Sequence, residues 1–171
     1  MNTSNGTKNG AIQINKLFIW GLIYGAFWSI VPGVLSELLW SPWQAKTVIA
    51  TGMVTGTIVT FALAPLLQRT STVKGALLGV LSLPLGAWLF GLAISCLHWI
   101  VLKTTGTHFR FVMQIDEYPG YIWAPLDVAW QHAVFSMFTI FAVVLLPLAI
   151  LTTLHLQRVV QRTRTDQNAV V

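Results

Sequence analysis

In a chain of 171 residues, 55% are hydrophobic and only 9% charged, and the mean hydropathy is +0.70, far from a soluble domain in which about a quarter of residues carry charge. Such a composition excludes a water-soluble fold and leaves room for about four spans of roughly 20 residues with no separate soluble module. A single cysteine, Cys96, excludes an internal disulfide and any CxxC metal or redox site, and the net charge of +5 is explained below by topology rather than by nucleic-acid binding.

Residues 1–16 are rich in Asn, Thr, Ser and Gly and include Lys8 and Lys16, the composition of a flexible tail. Asn2-Thr3-Ser4 and Asn5-Gly6-Thr7 match the glycosylation pattern, which matters only in a secretory lumen. The apolar run that follows is too long for a cleavable signal peptide and lacks a small-x-small site, so it is expected to stay as an anchor.

That run, 17–39, places a small residue at every fourth position, Gly21, Gly25, Ser29 and Gly33, with Glu37 continuing the row. In lipid, helices have no hydrophobic reason to meet, and close backbone contact has to supply the attraction. The first span is therefore expected to be the face on which the others dock. The second, 47–67, repeats the device with Gly52 and Gly56, and the third, 75–102, with Gly75, Gly79 and Gly91. These rows serve either packing within one chain or self-association into a homo-oligomer or with another membrane protein. Pro32, Pro65, Pro84 and Pro147 lie inside spans, where neighbouring helices must satisfy the carbonyls they free.

The spacing Gly21, Gly25, Ser29, Pro32 resembles Gly75, Gly79, Ser82, Pro84, and the ends of the second and fourth spans echo each other through Pro65 with Gln68-Arg69 and Pro147 with Gln157-Arg158. A parallel two-plus-two duplication would account for both echoes, as would chance recurrence in low-complexity apolar sequence.

Between the third and fourth spans, in the connection 103–127, Phe109, Phe111, Met113 and Ile115 alternate with His108, Arg110, Val112 and Gln114. That period of two predicts an extended ribbon, and Tyr118-Pro119-Gly120-Tyr121 supplies type II turn chemistry for a hairpin over the outer end. The fourth span, 128–156, is entered through Pro125 and Asp127, and a basic tail, 157–171, closes the chain.

Seven of the ten Lys and Arg fall on one side: Lys8, Lys16, Arg69, Lys74, Arg158, Arg162 and Arg164. The positive-inside rule then puts both termini in the cytoplasm and makes the chain an all-α, four-helix bundle of a bacterial inner membrane, in contact with membrane lipids.

At 1.5 Å per residue Glu37 stands about 30 Å beyond Leu17, at the outer boundary. His98, Asp127 and His132 reach a similar level, and His155 returns to the cytoplasmic boundary. The span centres near Trp28, Thr57, Trp88 and Phe141 carry no ionisable group, which speaks against an ion-coupled transporter. Glu37, His98, Asp127 and His132 are thus the candidate binding cluster, with the donor types for a divalent metal, a haem, a quinone or a lipid headgroup. No HExxH, phosphate loop, GxSxG or dinucleotide fingerprint accompanies them, so no catalytic residue, metal site or cofactor is assigned. The residues point first to a non-enzymatic accessory, regulatory or immunity/stress-type membrane protein acting through helix contacts. The outer cluster as a ligand site is the alternative, and a small carrier or channel for an uncharged or lipidic solute the third.

Overall fold

An apolar run that enters lipid must satisfy every backbone N–H and C=O within itself, and the helix is the local way to do so. The computed structural model describes residues 4–39, 42–106, 123–138 and 142–168, with side chains placed at 14–30, 34, 45–106, 123–138 and 142–162. Among them the protein is all-helical: α1 (Ser4–Leu39), α2 (Pro42–Leu67), α3 (Thr72–Thr105), α4 (Ala124–Phe138) and α5 (Ala142–Asn168).

Local sequence explains the boundaries. Pro42 opens α2, where its fixed φ suits a first helical position and its missing N–H leaves nothing unsatisfied. Ser71 caps α3 in an extended conformation (φ −72°, ψ 163°), its hydroxyl accepting from the Lys74 N–H at 3.5 Å. Gly106 ends that helix in the left-handed region (φ 69°), its N–H donating to the Leu102 carbonyl at 3.0 Å, a geometry that a side chain would strain.

Several limits differ from the sequence expectation. The first helix starts at Ser4, inside the segment whose composition suggested a flexible tail, because extending a formed helix adds one hydrogen bond per residue fixed. At the other end α5 runs to Asn168, into the expected basic tail. The expected fourth span, 128–156, is represented by two helices, α4 and α5, with 139–141 outside the described residues. The hairpin expected within 103–127 falls largely on 107–122 and likewise lies outside them.

The helices associate as two antiparallel sets. α1 and α2 form the most extensive contact, and α3 carries α4 along one half and α5 along the other. α2 joins the sets through its contacts with α3 and α5. One apolar cluster (Leu17, Leu63, Leu67, Leu156, Val160) closes the end of the bundle where α2 turns into α3, and another (Val48, Ile94, Ala124, Val128) closes the opposite end.

Polar groups share the interior with the apolar clusters, and many large apolar side chains face outward. Ser29, Thr51, Thr55, Thr60, Ser95, His98, Ser136, Thr153 and Gln157 are buried, whereas Phe138 is 84% exposed, Val143 74% and Leu81 64%. Water does not tolerate so large a continuous apolar exterior, but lipid does. Three helices are long and apolar enough to cross a membrane, Ala45–Leu67, Thr72–Thr105 and Ala142–Arg162, and α1 contributes a shorter apolar stretch, Ile14–Ile30.

Candidate functional site

The small-residue rows meet one another inside the chain. On α1, a Cβ built at Gly21 would lie 2.6 Å from the Thr57 Cα, and one at Gly25 would lie 2.6 Å from the Met53 Cα and closer still to the Gly52 carbonyl oxygen. On α2, a Cβ at Gly52 would meet the Ser29 side chain, and one at Gly56 would stand 2.8 Å from the Gly21 carbonyl oxygen. Backbone therefore rests on backbone along this seam, the close approach on which dispersion between helices in lipid depends. Gly33 belongs to α1 beyond the placed side chains.

α3 uses its glycines on two partners. Gly79 faces the Ile150 Cα (2.8 Å from a built Cβ) and Gly75 faces the Gln157 side chain, both on α5, while Gly91 faces the Ala129 Cα (2.9 Å) and the His132 ring (3.0 Å) on α4. Ser82 and Thr153 add a hydroxyl pair across α3 and α5 at 3.4 Å.

Most hydroxyls at these seams serve their own helix. Ser29 donates to the Gly25 carbonyl (2.7 Å), Thr55 to Thr51 (2.9 Å), Thr57 to Met53 (2.8 Å), Ser95 to Gly91 (2.6 Å) and Ser136 to Ala133 (2.7 Å). A hydroxyl bonded to a carbonyl one turn back is satisfied without a partner helix and is not poised as a nucleophile.

The four residues of the candidate cluster are placed differently. His98 is completely buried on α3, one turn beyond Ile94. His132 is half-buried on α4, with Nδ1 2.8 Å from the Val128 carbonyl and its ring 6.0 Å from that of Phe90. Asp127 is exposed in the first turn of α4, where its backbone N–H donates to the Trp123 carbonyl at 3.2 Å and its carboxylate suits the positive end of the helix. The side chain of Glu37 lies outside the described residues. Among the described residues no three His, Cys, Asp or Glu side chains gather as a metal-holding group.

The opposite end of the bundle carries polar contacts that sequence reasoning missed. The Tyr24 hydroxyl and His155 Nδ1 are 2.5 Å apart, linking α1 to α5 across 131 positions of sequence. Trp20 stacks on Tyr24 at 5.6 Å and meets the His155 ring edge-on at 4.9 Å. His155 is exposed on α5 three residues before the exposed Arg158, so the pair lies close to the basic end of the bundle. Gln157 Nε2 donates to the Thr70 carbonyl at 2.7 Å, and Gln161 Nε2 reaches the same carbonyl at 3.3 Å. α5 thereby satisfies backbone acceptors that the α2–α3 turn leaves open. The available signal was the group of polar residues Thr152, Thr153, His155 and Gln157 late in an apolar run.

The chain matches no family model, no curated protein and no solved structure. Its class follows from its own geometry: among the described residues, an all-helical protein with three apolar helices of membrane-spanning length, glycines at the helix contacts and many large apolar side chains exposed.

Proposed function

We propose that this is a small multi-pass inner-membrane protein with four crossings and both termini in the cytoplasm, α4 and α5 together making the last crossing. In this reading it acts without catalysis, as an accessory, regulatory or immunity/stress-type component, through helix contacts. The observation that carries it is the use of the polar groups: most buried hydroxyls back-bond to their own helix, and Gln157 and Gln161 hold a turn together. Since the glycine rows are engaged within the chain, a partner helix would meet another face. The outer face of α4, with Trp130, Val134, Phe135 and Phe138 all exposed, offers large aromatic area at helical spacing.

Photocrosslinking in native membranes tests this. A photoreactive residue at position 138 should give one adduct of defined mass, which Trp130→Ala weakens, whereas position 58 on α2 gives none. Adducts to lipid alone from both positions would refute it, as would substrate turnover by the purified chain.

A second reading rests on one observation, the complete burial of His98 within a membrane-length helix, where polar side chains commonly mark function. Here His98, His132, Asp127 and Glu37 bind a metal, haem, quinone or headgroup at the far end. A colourless, metal-free protein whose behaviour survives His98→Ala and His132→Ala would remove it.

A further inference from the structure

The α2–α3 turn combines three features that match one ligand. First, a shallow, wide-open apolar groove of about 290 Å³ lies where the end of α2 meets α3, lined by Leu66 on α2, Thr70 in the turn, and the stem of Lys74 with Leu77, Leu78 and Leu81 on α3. Leu66, Leu77 and Leu81 are each more than half exposed along it, and Leu81 lies two turns from Lys74, so the apolar wall extends about 10 Å from the charged end. Second, the mouth of the groove is basic. Lys74 lines it, Arg69 stands exposed in the adjoining turn, and Lys16, Arg158 and Arg162 are exposed at the same end of the bundle. Among the described side chains the one carboxylate, Asp127, is at the opposite end. Third, α3 begins at the mouth, so the N–H groups of Thr72 and Val73 and the positive end of a 34-residue helix face the same region, with no acidic residue in the first turn.

We propose that this groove is a docking site for one anionic phospholipid of the leaflet that contains the α2–α3 turn. The headgroup phosphate pairs with Lys74, assisted by Arg69 and the α3 N-terminus, and one acyl chain lies along Leu66, Leu77, Leu78 and Leu81. A zwitterionic lipid fits the apolar wall equally well but brings its own cation to a basic mouth. The preference is therefore electrostatic, while the position is set by the groove. A second helix would cover the leucines and leave Lys74 and Arg69 without a counter-charge. Lipid at this place would also bridge α2 and α3, one of the contacts that join the two halves of the bundle.

The test uses the full chain in detergent micelles, titrated with phosphatidylglycerol and separately with phosphatidylcholine, with native mass spectrometry counting bound lipids. One phosphatidylglycerol should bind in preference to phosphatidylcholine. Lys74→Gln should weaken it by about fivefold, the worth of one basic residue at an anionic surface. Leu81→Trp, which fills an exposed part of the groove without touching the charges, should weaken both lipids. Lys16→Gln removes a charge at the same end but outside the groove and should leave binding unchanged. Equal binding of the two lipids would overturn the proposal. So would equal losses from Lys16→Gln and Lys74→Gln, which would mean diffuse attraction, or a dimer mass abolished by Leu81→Trp, which would mean that a second copy fills the groove.

Discussion

Gly25→Ala isolates the seam between α1 and α2. The new Cβ would sit 2.6 Å from the Met53 Cα and 2.7 Å from the Gly52 carbonyl carbon, where carbon pairs rest at about 3.5–4.0 Å. The opposing atoms are backbone, so no rotamer can yield and the helices must part by about 1 Å. That separation lifts Gly21 off Thr57 and Ser29 off Gly52 together. Overpacking of this kind costs about 3 kcal/mol, against which alanine regains about 1 kcal/mol in helix propensity, for a net loss of about 2 kcal/mol. At Gly86 a Cβ would meet nothing within 4 Å, so Gly86→Ala should be neutral or stabilising by up to about 1 kcal/mol. Reversible unfolding of the full chain in bicelles, followed by steric trapping, measures both. Gly25→Ala combined with Gly56→Ala should cost less than the sum, because the first Cβ already opens the seam that the second would enter. Equal stabilities for Gly25→Ala and Gly86→Ala would refute the reasoning.

Three further outcomes follow from the same packing. Tyr24→Phe keeps the ring contacts with Trp20 but removes the hydroxyl bonded to His155, so it should cost about 0.6 kcal/mol, and a cycle with His155→Ala should recover a coupling of that size. Gln157→Leu deletes the shorter of two bonds to the Thr70 carbonyl and should cost about 1 kcal/mol, read as faster amide exchange across the α2–α3 turn with α1 and α4 unaffected. Cys96 is exposed nine residues before the end of α3, about 13 Å along the helix axis from that end, so in vesicles a membrane-permeant maleimide should label it faster than a charged thiosulfonate. Rapid labelling by the charged reagent would place that face of α3 in water.

The four-residue rhythm of Gly21, Gly25 and Ser29 could be read from the chain because a repeat of that period marks one helix face wherever the helix lies. Which helix the face meets could not. Gly75, Gly79 and Gly91 share similar local sequence, yet the first two face α5 and the third faces α4. His98 and His132 looked alike in depth, but only the packing of α2, α3 and α4 buries one completely and leaves the other half-buried. The Tyr24–His155 contact was invisible because its partners are 131 residues apart and neither stands in a motif.

By itself the sequence determined that long apolar runs with little charge form helices of membrane-spanning length; that α1 reaches back to Ser4 and that two helices stand in place of the last expected span came only with the structure. The tertiary structure alone decided the pairing, joining glycine to glycine along α1 and α2, setting α4 and α5 on separate halves of α3, and gathering a basic groove at the α2–α3 turn. The reason is that helix association in lipid is governed by shape at contact distance, and shape at contact distance belongs to pairs of surfaces rather than to either strand of sequence.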